Sequence, residues 1–260
     1  MTLIVAIPAQ DGIIFGSDSQ VTDGAVKCVA RKIFPLNDHA LWAASGELAL
    51  IQRVAERIET CPNKEQSLIV IRDVLAQFVK DAVQSLLNVD FRTQFFLQNP
   101  AALLSLHPGD FLFVEYSEKA RILHISANGT PEWIIDGRVK ATGSGDLFAH
   151  ALLQKYAGAS LNCERAKLLA YKVIEEAIEV GGYGLGPPID LWEVKSTGVK
   201  QVSEQEIAAL EDAAHLLRGR EVEMLTTRVT SEPPIMEQIS REASPKAAAK
   251  ANPEPSAPHR

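Results

Sequence analysis

Two apolar runs open the chain, Thr2-Leu3-Ile4-Val5-Ala6-Ile7 and Ile13-Ile14-Phe15-Gly16-Ser17-Asp18, with Gln10-Asp11-Gly12 between them. Both runs are rich in β-branched residues, and Asp-Gly is a strong tight-turn signal, so an antiparallel hairpin is predicted. Thr22-Asp23-Gly24 marks another turn. Lys32-Ile33-Phe34-Pro35-Leu36 and Ala40 to Ala44 read as a second strand pair around Asn37-Asp38. The first 45 residues therefore read as a β-meander.

Outward from this opening the period changes. After Gly46, residues Leu48, Ile51, Val54, Ala55 and Ile58 recur at helical spacing, and Pro62 stops the helix. A second helix is predicted from Asn63-Lys64 through Leu86. The stretch from Asp90 to Leu106 shows no readable period. Strands return over Asp110 to Tyr116, Arg121 to Ser126 and Arg138 to Thr142, with an Asn128-Gly129 turn. Helices are predicted from Leu147 to Tyr156 and from Cys163 to Val180. A Gly/Pro-rich segment, Gly181 to Pro188, precedes a closing hairpin over Ile189 to Val194 and Val199 to Val202. A last helix runs from Ser203 to Arg218, with Ser203 and Glu206 forming a capping box. Strands, two helices, strands, two helices, strands is an α+β layered plan. Residues 1–225 read as one domain. Residues 226–260 are rich in Pro, Ala, Ser, Glu and Lys and read as a disordered tail.

The 260 residues carry a formal net charge of −7. That balance gives no attraction for phosphate backbones or anionic membranes, so neither nucleic acid nor membrane is an expected partner. Three widely spaced cysteines, Cys28, Cys61 and Cys163, read as reduced thiols. Six scattered histidines show no metal spacing, so neither metal nor cofactor is expected. A cytoplasmic, soluble protein is the expectation.

Met1-Thr2 carries the chemistry. Threonine is small enough for methionine removal, which would put a hydroxyl and a free α-amine on one residue. An α-amine titrates near ~7.7–8.0 and can take the hydroxyl proton at neutral pH. Many proteins begin Met-Thr, so the dipeptide alone decides nothing. Thr2 leads directly into a strand, however, and the hairpin brings Asp18 toward it. Lys32 follows. A lysine beside a carboxylate would keep its charge and lower the proton affinity of a nearby hydroxyl.

Thr2 to Ile7, Asp11 to Thr22, Lys32-Ile33-Phe34, Ala44-Ser45-Gly46 and Ala141-Thr142-Gly143-Ser144-Gly145 together resemble the proteasome β-type subunits, which are N-terminal-nucleophile (Ntn) hydrolases. The resemblance covers residues 2 to about 220. Bacterial relatives with this architecture include HslV and stand-alone homologues such as the betaproteobacterial ones, and the long tail and Gly-rich segment point to the latter. The resemblance implies a four-layer αββα sandwich and a threonine peptidase. It implies Thr2 as nucleophile, Asp18 as the carboxylate that holds Lys32, Gly46 as an oxyanion-hole amide and Ser144 beside the terminal amine. It implies Val21, Thr22, Ala30, Ala44 and Leu48 as substrate-binding positions, lining an apolar first pocket or pairing with an extended peptide. It also implies homo-oligomeric rings or stacked rings acting on peptide or unfolded polypeptide, and it allows an ATPase unfoldase partner.

Two departures stand out. Active β subunits carry Arg-Asp-x-x-Ser-Gly after the penultimate helix, where this chain reads Glu179-Val180-Gly181-Gly182-Tyr183-Gly184. Gln20 stands where many subunits have Arg. These differences keep two rival readings open: a weak or inactive ring scaffold, and an Ntn amidase on a small amide. The family's usual propeptide is not expected before Thr2, and maturation is expected to need only methionine removal.

Overall fold

A computed structural model describes residues 2–23, 26–87, 108–156, 159–180 and 184–226. One five-stranded sheet has the order β10-β1-β2-β11-β12, built from Lys140–Gly143, Leu3–Ala9, Gly12–Asp18, Ile189–Lys195 and Gly198–Gln201. A second has the order β5-β6-β7-β8-β9, built from Ile33–Asn37, Ala40–Gly46, Gly109–Tyr116, Ala120–Ser126 and Pro131–Ile134. All described pairings in both sheets are antiparallel. A separate two-stranded ribbon, β3 (Gln20–Asp23) and β4 (Val26–Val29), connects them in sequence. The helices are α1 (Leu48–Glu59), α2 (Leu68–Ser85), α3 (Asp146–Gln154), α4 (Cys163–Val180) and α5 (Glu204–Thr226).

Strand alternation sorts the core into three sheets of contact. Ile4, Ala6, Ile13, Phe15, Ile33, Leu41, Ala43, Leu112 and Val114 are buried between the two sheets. The other face of β1, with Leu3, Val5 and Ile7, packs against α3 and α4 through Ala149, Leu153, Ala170, Val173 and Ile174. The outer face of the second sheet, with Trp42, Ala44, Phe111 and Phe113, meets Leu50 and Val54 of α1 and Leu68, Ile71, Leu75 and Val79 of α2. Helix, sheet, sheet, helix is the four-layer α+β sandwich that the resemblance implied.

Several boundaries differ from the sequence reading. The opening strands do not form one meander: β1–β2 and β5–β6 belong to different sheets, and the β3–β4 ribbon occupies the crossing between them. α2 begins at Leu68, not at Asn63. Turn hydrogen bonds from Lys64 N to Cys61 O and from Gln66 N to Asn63 O hold that stretch out of the helix. Ser67 caps α2 by accepting from Ile69 N at 3.4 Å, and its Oγ donates to Glu115 Oε2 at 2.8 Å. α5 runs on to Thr226, past the predicted end at Arg218. Its capping box is present: Ser203 N donates to Glu206 Oε2 and Glu206 N to Ser203 Oγ, both at 3.2 Å.

The unreadable stretch from Asp90 to Leu106 and the Pro/Ala-rich segment from 227 onward lie outside the described residues. Two compact units divide the chain, Met1–Leu216 and Leu217–Arg260. The first holds both sheets. The described part of the second is the final stretch of α5, on which Val222, Met224 and Leu225 are exposed. No helix among the described residues is long and apolar enough to cross a membrane.

Candidate active site

Thr2 immediately precedes β1, where β1 is flanked by β2 on one side and β10 on the other. The pairing of Leu3 with Gly143 brings the Gly143-Ser144-Gly145 turn against it. Gly143 has φ +100, and a side chain there would run into the Thr2 carbonyl. Only glycine lets β10 approach this closely. Ser144 Oγ accepts from Thr2 N at 3.2 Å and donates to Thr2 O at 3.4 Å. With Met1 attached this nitrogen is a peptide nitrogen, and methionine removal makes it the α-amine.

Asp18 ends β2 and is fully buried. Its Oδ1 accepts from Lys32 Nζ at 2.7 Å and from Leu3 N at 2.9 Å. Its Oδ2 accepts from Gln20 N at 3.2 Å and from Gly186 N at 3.3 Å. One carboxylate oxygen thus ties the lysine to the backbone next to Thr2. Lys32 is only 6% exposed. Burial pulls its pKa below the ordinary lysine value, and the attraction of Asp18 opposes this without cancelling it. The Lys32 ammonium therefore gives up its proton more readily than that of a surface lysine.

Gly46 closes β6 opposite Gly109 at φ +126, and a side chain there would collide with the Pro108 carbonyl and Gly109 Cα. Thr2, Ser45, Gly46, Gly109, Asp110, Gly143, Ser144 and Asp146 line a cavity of about 320 Å³. Ser45 Oγ and Thr142 Oγ1, 3.4 Å apart, bridge the two sheets beside it.

The family profile described as Proteasome subunit matches residues 2–99. The chain is 28% identical over 207 residues to a proteasome subunit beta of Nanoarchaeum equitans, covering 78% of this chain and 97% of the relative. It is 24% identical over 202 residues to proteasome subunit beta 1 of Pyrococcus abyssi, covering 77% and 94%. It is 26% identical over 180 residues to a proteasome subunit beta of Methanobrevibacter smithii, covering 68% and 79%. These similarities support a proteasome β-type, Ntn-hydrolase-like chain.

Against that family pattern, the structure gathers Thr2, Asp18, Lys32, Gly46 and Ser144 around one end of the sandwich, with Thr2, Gly46 and Ser144 on the cavity wall. The expected substrate positions are spread over β3, the β4–β5 connection, β6 and α1. Val21 and Thr22 sit on β3, paired with Cys28 and Lys27. Ala30 donates its N–H to Ser19 O at 2.9 Å and lines a neighbouring cleft of about 460 Å³ with Arg31 and Asp190. Ala44 is buried in the outer core, and Leu48 opens α1 at 62% exposure. None of the five lines the Thr2 cavity.

The cavity adds residues that the sequence reading did not single out, Gly109, Asp110 and Asp146 among them. Gly109 admits close backbone approach. Asp110 and Asp146 put carboxylates on the wall, with Asp110 Oδ1 3.0 Å from His124 Nε2. The Pro108-Gly109-Asp110 turn signature was the one available hint, and it borders the unreadable stretch. Among the described residues no group of acidic, His and Cys side chains is placed to hold a metal.

Proposed function

We propose that this protein is a threonine peptidase whose nucleophile is Thr2 Oγ1 after Met1 removal. The observation that carries the reading is Asp18 Oδ1, which holds Lys32 Nζ and Leu3 N together directly beside Thr2. In the proposed reaction the Thr2 hydroxyl proton passes to the residue's own α-amine, directly or through water, as Oγ1 attacks the scissile carbonyl. Lys32 and Asp18 set the electrostatics of the hydroxyl. The Gly46 N–H stabilises the oxyanion. The amine leaves with a proton, and water then hydrolyses the threonyl ester to free the acid and restore Thr2. Ser144 orients the α-amine.

The working form in this reading is a homo-oligomeric ring or stacked rings in the cytoplasm, of the stand-alone bacterial type. Unfolded polypeptide is the substrate, an ATPase unfoldase is a compatible partner, and residues 226–260 form a tail outside the catalytic domain. The test is hydrolysis of a panel of peptides by protein shown to begin at Thr2, with Thr2→Ala as control. Turnover by the first and not the second supports the proposal, and equal turnover by both sinks it. A second reading, an Ntn amidase, is favoured by the cavity, whose roughly 320 Å³ lies at the low end for ligand sites. Turnover of small amides with no peptide cleavage would decide for it.

A further inference from the structure

The two places where the chain departs from the family pattern meet over Asp18. Gln20 is 8% exposed, and its Nε2 donates to Gly184 O at 2.9 Å. Its backbone N–H reaches both Asp18 Oδ2 and Gly186 O at 3.2 Å, and Ser19 N also donates to Gly186 O at 3.2 Å. Gly186 N in turn donates to Asp18 Oδ2 at 3.3 Å. A side chain at Gly186 would collide with Gln20 Oε1, and Gly184 has φ +64, a conformation that favours glycine. Leu185 between them is buried in the core cluster that contains Leu3. A methyl group on Gly145, beside Ser144, would lie 2.9 Å from Leu185 Cδ1.

Gly184-Leu185-Gly186 is therefore a three-residue strap, fastened on one side by Gln20 and on the other by the turn that carries Ser144. We propose that Gln20 is a positioning residue for the Thr2 site, clamping this strap so that Gly186 N holds the second oxygen of Asp18. The inference rests on the Thr2 chemistry proposed above. Its physical basis is the division of labour on the carboxylate. Oδ1 serves Lys32 and Leu3, and Oδ2 is filled by two backbone donors, so the group cannot rotate away from the lysine. A strap with two glycines has little intrinsic order and depends on bonds from outside it. Releasing the Gln20 amide removes the strap's side-chain anchor at Gly184 O, leaving only backbone bonds to hold Gly186 N on Oδ2, and so loosens the Lys32 geometry.

The test uses the full chain, processed to Thr2, labelled with an N-terminal-threonine-directed epoxyketone. Gln20→Ala and Gln20→Glu are compared with wild type. Glu keeps the length and packing but cannot donate to Gly184 O. Both variants are expected to lose on the order of 10-fold or more in the maximal rate of labelling, with the probe's binding constant unchanged. Gly186→Ala should behave likewise, and combining it with Gln20→Ala should add little, because both act on one contact. Amide exchange reads the clamp independently of chemistry: Gly186 and Leu3 N–H should exchange faster in Gln20→Ala while distant core amides do not. A wild-type rate of labelling in Gln20→Glu, or unchanged Gly186 exchange in Gln20→Ala, overturns the clamp. If wild-type protein beginning at Thr2 is not labelled at all, the proposed Thr2 chemistry fails, and the exchange result alone decides whether the strap is clamped as described.

Discussion

Asp18 gathers the site from three directions, through Lys32, through Leu3 and through the Gln20–Gly186 strap. Its removal is correspondingly costly. Asp18→Ala strips Lys32 of its carboxylate partner in a buried setting and takes the acceptor from the Leu3 and Gly186 N–H groups. Breaking a buried pair of this kind costs about 3–5 kcal/mol, readable by denaturant unfolding. A loss below about 1 kcal/mol would contradict the arrangement. The cysteines give a second check at this scale. Cys28 is exposed, whereas Cys61 and Cys163 are buried, and burial with the Asp11 contact pushes the Cys163 thiol up to about 12. Iodoacetamide at pH 8 should modify Cys28 in the native protein, and should reach Cys163 only after unfolding. The resemblance pointed to Thr2, Asp18, Lys32, Gly46 and Ser144 through short motifs at linked spacing, and the structure brings these five to one end of the sandwich. Gly186 was not legible in the sequence, since its contact with Asp18 spans 168 positions and leaves no local trace.

The elements were legible wherever local chemistry decides them. The capping box of α5 is the clearest case. Glu206 is held down at about 2, first by backbone and side-chain hydrogen bonds from Ser203 and then by Lys167. Its folded pKa lies below its ordinary value of 4.5, so the stability it contributes is present above about pH 4.5 and is lost as pH falls toward 2. Ser203→Ala should cost about 1 kcal/mol at pH 7. That corresponds to a melting shift of roughly 2–4 °C for a chain of this size. The difference from wild type should shrink as pH falls through 4.5 toward 2, and a constant difference across that window would refute the assignment. The opening strands show where such reading stops. Turn residues and alternation identify β1, β2, β5 and β6, but neither says which sheet a strand joins. That is set by burial of Ile4, Phe15, Ile33 and Leu41 against one another between the sheets, a contact made only when the chain is folded. The start of α2 was misplaced for a related reason. Asn63 and Lys64 follow a proline and look like a helix opening, yet Ser67, anchored to Glu115 on β7, sets the true cap.

At the scale of the molecule, four layers put the head of β1 and the ends of β10 and β6 at one rim, and the Thr2 cavity opens there. The proposed ring assembly predicts a discrete oligomer by native mass spectrometry; a monomer at micromolar concentration would count against a self-compartmentalising peptidase. The central claim is chemical, and one measurement addresses it directly: the intact mass of the purified protein before and after treatment with an N-terminal-threonine-directed epoxyketone. The account predicts loss of Met1, then one added probe per chain located on Thr2, with no addition to Thr2→Ala. Retained Met1, or a correctly processed chain whose mass the probe leaves unchanged, would contradict it.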